Sequence, residues 1–275
     1  MRNRIFAAGL AGLALATAAP ALAQGQPAAE AQVKVTAVPG VVAPGAQWRT
    51  FWSGPMIVDG MAAAADGALL FAQEQSNSII KVWPDGRWWV EYPFVAGAGS
   101  VSLGKDGTIY AADRSCTDPG LGLGANCTVP SKIVQLAPER KTIADKFADG
   151  KTLGRINDLA ADGHVSGKRT VATIAGEPEG SFGGDGLAVD ADGRLYVTTG
   201  QGIVVFDKAG QQLGAIPVPR RAITVAIGGP EGKTLYAGTL GANTPAGANW
   251  QTPQGVRNIA ATIYAIDVLP SGVRK

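Results

Sequence analysis

The sequence predicts an all-β protein, specifically a β-propeller, and three observations carry that prediction. Glycine is abundant, at 38 of 275 residues, while amphipathic helical periodicity is absent. Short β-branched and aromatic runs alternate with turn residues. The runs also recur as one unit, a small-apolar strand, an acidic-Gly turn and a second strand, repeated roughly every 40 residues as propeller blades are.

Taken in order, the chain opens with MRNR and a short apolar stretch, IFAAGLAGLALATAAP, followed by Ala21-Leu22-Ala23. That pattern reads as a secretory signal peptide over residues 1–23 and predicts an exported protein, periplasmic or secreted. Residues 24–50 read as an N-terminal leader and first strand, and residues 51–275 as one propeller domain. GMAAAADGALLFA is the first repeat, around Asp66. SVSLGKDGTIYAA follows around Asp106, then GLAVDADGRLYVTT around Asp192 and TVAIGGPEGKTLYAGT around Glu231. A third strand trails each unit: SIIKVWPDG, SKIVQLAPE, GIVVFDKAG and TIYAIDVLPSG. Asp192-Gly193 reads as a hairpin turn.

One repeat departs from the pattern. Arg155 to Gly176 begins like a blade, with INDLAADG, but HVSGKRT replaces the apolar second strand. The expectation is a first strand at Ile156–Ala160, an outer strand near Arg169–Ile174, and about one blade of sequence missing. That predicts five repeats or an incomplete ring.

Composition excludes several functions. The formal net charge is +2 with 17% charged residues and no basic run, so nucleic acid is not an expected partner. No second apolar stretch is long enough to span a bilayer. A single histidine, His164, argues against a Ser-His-Asp triad and against histidine-rich metal sites. Cys116 and Cys127 are the only cysteines, and in an exported chain they are expected to form a disulfide closing a glycine-rich loop. Trp83, Trp88 and Trp89 are expected to pack between blades.

The loop entering each innermost strand of a propeller lies at one mouth of the central channel. Asp59, Asn157 and Asp185 occupy that position in three repeats. Two carboxylates and an amide oxygen suit a hard divalent cation, calcium first, then magnesium, with manganese or zinc as alternatives. Any one of these residues by itself is equally explained by an Asx turn, in which the side chain caps its own backbone.

Asp59-Gly60, Arg155-Ile156-Asn157-Asp158 and Gly184-Asp185-Gly186-Leu187-Ala188-Val189-Asp190 resemble signature stretches of the gluconolactonase/regucalcin-like family. The resemblance implies a six-bladed propeller with one divalent ion in the channel and hydrolysis of sugar lactones. It implies that Asp185 is a metal ligand and the base for an attacking water. Asp59 stands where the family has a longer Glu. Asn157 and Arg155 match substrate-facing positions. The family's ligand Asn, from an Asn-Gly motif, falls in the stretch missing here. The resulting expectation is a monomeric, metal-dependent lactonase acting on a small lactone or sugar. The alternatives are a non-catalytic propeller that binds a ligand or a protein, and a relative acting on another ester.

Overall fold

The computed structural model describes residues 33–116, 129–157, 159, 172–174, 176, 184–229, 231–241, 248–252 and 255–269. Strands dominate, in four antiparallel sheets. In chain order the strands are β1 (Arg49–Pro55), β2 (Asp59–Ala63), β3 (Leu69–Gln73), β4 (Ser78–Val82) and β5 (Trp88–Pro93). Next come β6 (Ser100–Leu103), β7 (Ile109–Asp113), β8 (Lys132–Ala137) and β9 (Lys141–Ala144). After the junction follow β10 (Leu187–Val189), β11 (Leu195–Thr199), β12 (Gly202–Phe206) and β13 (Gln212–Ile216). The last are β14 (Ala222–Gly228), β15 (Thr234–Leu240), β16 (Ala248–Thr252) and β17 (Gly255–Asp267). Among the described residues no helix is long and apolar enough to cross a membrane.

Three blades are consecutive meanders, β2-β3-β4-β5, β6-β7-β8-β9 and β10-β11-β12-β13. The fourth is closed by the N-terminal strand, in the order β14-β15-β17-β1, with Arg49 opposite Ala265. The predicted turns form as their residues dictate. Asp66 Oδ1 accepts from the Ala68 N–H at 3.1 Å, and Asp106 Oδ1 from Thr108 N–H at 3.0 Å. Gly67 and Gly107 follow with φ of 83° and 80°, the left-handed conformation such a turn needs.

The innermost strands pack side by side in the order β6, β2, β14, β10. Apolar clusters fill the spaces between blades. Leu70, Ile79, Val101 and Ala111 join the first two blades. Phe71, Ile80, Tyr236 and Ile263 join the first to the last. Tyr196, Ile203, Leu235 and Tyr264 join the last two, capped by Val38, Val41 and Trp48 from the segment before β1. Each such fully buried side chain contributes about 1.5–3 kcal/mol.

The junction differs from its prediction. Among the described residues Ile156, Asn157 and Leu159 lie outside any strand, as do Ala172 to Ile174. The rest of the predicted strands at 156–160 and 169–174 falls outside the described residues, as do His164 and the predicted signal peptide. Ala172 and Ile174 still pack on Val197, Val204 and Phe206, covering the open flank of the β10–β13 blade.

The tryptophans meet the expectation of packing between blades only in part. Trp88 and Trp89 lie on β5, the outermost strand of its blade, and stay about half exposed, at 50% and 45%. Trp89 stacks at a tilt on Trp83 with ring centroids 4.1 Å apart, and Trp88 meets Trp52 edge-on. Trp52 lies on β1 of the last blade, so Trp88 does pack between blades, whereas the Trp83–Trp89 pair stays within its own.

Candidate active site

The residues singled out at the channel mouth do meet, but around a guanidinium. Arg114, which follows β7, is 4% exposed. Its Nη1 lies 3.0 Å from Asp59 Oδ2 and 3.1 Å from Glu74 Oε2. Its Nη2 donates to Asn157 Oδ1 at 2.6 Å, and its Nε donates to the Ile156 carbonyl at 2.8 Å. Asn157 Nδ2 in turn donates to Asp185 Oδ1 at 2.7 Å. Arg155 closes the cluster by donating through Nη2 to Glu74 Oε1. The amide orientation of Asn157 is fixed by its partners, since a guanidinium only donates and a carboxylate only accepts.

Local sequence explains each placement. Asp59 opens β2, and Gly60 behind it donates its N–H to the Gly99 carbonyl at 3.1 Å, tying β2 to the approach of β6. Gly99 lets the guanidinium lie against the backbone, for a Cβ there would overlap Arg114 Nε. The Asp185-Gly186 pair works the same way. A Cβ at Gly186 would stand 2.5 Å from Thr224 Cα, so glycine lets β10 approach β14. Thr198 holds this corner, its hydroxyl accepting from Gly186 N–H at 2.8 Å. Gly186 thus serves the packing of inner strands, while Asp59 and Asp185 reach the channel cluster.

Glu74 and Arg114 are the functional residues that the repeat reading missed. The signal lay in the second strands, LLFAQE, IYAADR, LYVTTG and LYAGTL. Glu74 and Arg114 occupy the same place in successive units, the sixth residue of each stretch, where the other two units carry Gly200 and Leu240.

The cluster holds three carboxylates, Asp59, Glu74 and Asp185, against two guanidiniums, Arg114 and Arg155. Burial pushes the Asp59 carboxyl up to about 6, against the opposing pull of Arg114, and the nearby Asp185 charge adds to the rise. The exposed edge of the cluster is Arg155 and Asn157, with Asp185 half-buried beside them. Ser100 Oγ, next in the chain to Gly99, and Gln75 Nε2, next to Glu74, are buried without partners.

The expected metal set of Asp59, Asn157 and Asp185 does not fit a divalent ion as arranged. Asp59 Oδ2 and Asn157 Oδ1 both face Arg114, and Asn157 turns its amide nitrogen, a donor, toward Asp185. A calcium ion takes six to eight oxygen ligands, waters included, and the side-chain oxygens it would share here are turned to Arg114. Among the described residues no group of three or more His, Cys, Asp or Glu side chains is placed to hold a metal ion.

Residues 152–241 match the SMP-30/gluconolactonase/LRE-like region family. No curated protein matches the chain. Among solved structures, a protein provisionally named a gluconolactonase is similar at 18% identity and a TM-score of 0.56, covering 86% of this chain and 97% of its own. A gluconolactonase from Xanthomonas campestris is similar at 16% identity and a TM-score of 0.47, over 86% and 97% of the two chains. A calcium-binding regucalcin from Agrobacterium tumefaciens is similar at 18% identity and a TM-score of 0.27, over 79% and 65%.

Proposed function

We propose that this propeller, which carries an SMP-30/gluconolactonase/LRE-like region, hydrolyses a small sugar lactone at its channel mouth. The observation that carries the reading is the edge formed by Arg155, Asn157 and Asp185, where one cation, one amide and one carboxylate converge beside solvent. Asp185 takes a proton from water, and the resulting hydroxide adds to the lactone carbonyl carbon. Arg155, which has further N–H groups besides the one given to Glu74, donates to the oxygen that gains charge. The ring C–O bond then breaks, Asp185 returns its proton to the departing alkoxide, and a hydroxy acid leaves. No divalent ion enters this sequence, because Arg114 engages the Asp59 and Asn157 oxygens that would hold it.

The test is turnover of a six-membered sugar lactone by the full chain, with chelator and with added calcium, magnesium, manganese or zinc. Asp185→Asn should lower the rate by about 10²–10⁴-fold, the usual contribution of a general base. An unchanged rate in that variant removes the assignment. A second reading, a propeller that binds a sugar or another ligand without turnover, is favoured by the closed pairing around Arg114. Ligand-dependent thermal stabilisation with no product would select it.

The reading includes export and a Cys116–Cys127 disulfide. The apolar stretch after MRNR supports the first. The second is supported by the presence of only two cysteines and by Cys116 not being a free thiol.

A further inference from the structure

We infer that the Arg114 guanidinium is the resident cation of the channel, and that it excludes a divalent ion from the oxygens of Asp59, Glu74 and Asn157.

A guanidinium is planar, permanently charged and fork-shaped, so it can engage several acceptors at once. Arg114 does so on all three nitrogens, with Asp59, Glu74, Asn157 and the Ile156 carbonyl as acceptors. These are hard oxygens, two of them carboxylate, gathered from β2, the turn after β3 and the junction segment. A metal ion would choose the same atoms. The two occupants compete for one place. Arg114 is tethered and nearly buried, so its local concentration is fixed by the fold, whereas an ion must arrive from solution and shed water. The backbone supports the arrangement, because Gly99 leaves the surface on which the guanidinium lies, and any side chain there would displace it.

The cluster also links the fold. Arg114 ties the strandless segment at Ile156–Asn157 to the first two blades through one side chain. The same group therefore fills the cation position and anchors the Ile156–Asn157 segment to the blades. Once the guanidinium is removed, Asn157 is free to turn its oxygen, and four side chains remain around the vacated volume: Asp59, Glu74, Asn157 and Asp185.

Binding of Mn²⁺ to the full chain tests this, followed by loss of the free-ion electron-spin signal. Wild-type protein should show no stoichiometric site. Arg114→Met, which keeps most of the side-chain volume, should bind one Mn²⁺ per chain at least about 10-fold more tightly, approaching the affinities of oxygen-ligand sites. Adding Asp59→Asn to that variant should weaken the binding again. A wild-type site of one equivalent that Asp59→Asn abolishes would overturn the inference, as would a folded Arg114→Met that binds none.

If Arg114→Met does not fold, the wild type decides the matter. The Arg114 Nε–H is buried and hydrogen-bonded to Ile156, so its ¹⁵N resonance should be protected from exchange. It should stay unchanged in millimolar Ca²⁺ or Mg²⁺. Loss or shift of that resonance on adding either ion overturns the inference. These readouts do not depend on whether the channel hydrolyses a lactone.

Discussion

Arg114 Nη2 and Asn157 Oδ1 lie 2.6 Å apart, although 43 residues of sequence separate them. One residue belongs to a complete blade, and the other to the segment that forms no strand among the described residues. Their contact shows how that segment reaches the channel, through side-chain pairing in place of a sheet ladder.

Removing the guanidinium should therefore be costly. Arg114→Met takes the guanidinium from buried Glu74 and part-buried Asp59, and breaking a buried pair in this way costs about 3–5 kcal/mol. Urea unfolding of Arg114→Met, Glu74→Gln and the double variant measures it. The double variant should recover part of the loss, since the carboxylate that lost its partner is also gone. Strict additivity would show that the pair is not coupled.

Asp59 predicts a pH dependence. Burial raises its carboxyl from the ordinary 3.8 to about 6. Between those values the folded protein keeps a proton that the unfolded chain has released, so this group's contribution to stability falls as pH rises from about 4 to about 6. Above that window its contribution is flat. The stability of the wild type minus that of Asp59→Asn, measured from pH 4 to 7, should fall across the window and then level. A difference that rises with pH contradicts the assignment.

Asp190 should be a strong structural residue. Its side chain is buried and accepts from Tyr196 Oη at 3.0 Å and from the N–H groups of Asp192 and Arg194 at 2.9 Å each. Arg194 Nη1 adds an ion pair at 3.2 Å. Burial and the Asp190 charge together push the Tyr196 phenol well above its ordinary value. Asp190→Ala should cost about 3 kcal/mol by leaving these donors unpaired, while Asp192→Ala, at the exposed turn, should cost under about 1 kcal/mol. Thermal unfolding of both variants gives the comparison, and equal losses would refute it.

The cysteines can be counted directly. Thiol titration of the unfolded protein should find none without reductant and two with it. In the chain-entropy account the short loop between Cys116 and Cys127 contributes about 3 kcal/mol. Equal thiol counts in both conditions would exclude the bridge.

Much of the architecture was legible because each hairpin advertises itself locally. Asp66-Gly67 and Asp106-Gly107 fix their turns through contacts two residues apart, and the flanking runs are buried as their apolar character requires. The outermost strands were harder to read. Trp88 to Pro93 and Lys141 to Ala144 are largely exposed, so no alternation of buried and exposed positions marks them. The meeting of Asn157 with Asp185 was legible from repeat position alone. Arg114 was not, because an arginine after a strand reads as a solvated charge until the oxygens that receive it are known. The role of Asp190 was hidden similarly, since Asp192-Gly193 two residues on looks like the turn's own signal.

The pairing of β1 with β17 governs the order in which this molecule can assemble. Arg49 and Asp267, ion-paired at 2.9 Å, stand 218 residues apart in sequence. During synthesis the first strand cannot find this partner until β17 has been made. Closure is thus the most non-local step available, and topologies of that kind fold slowly. Until it happens, β1 and the blade that will receive it present unpaired edges, the form in which two copies can exchange strands. A chain cut short before β17 would keep its three consecutive meanders and lose the strand that joins β1 to β15 in the fourth.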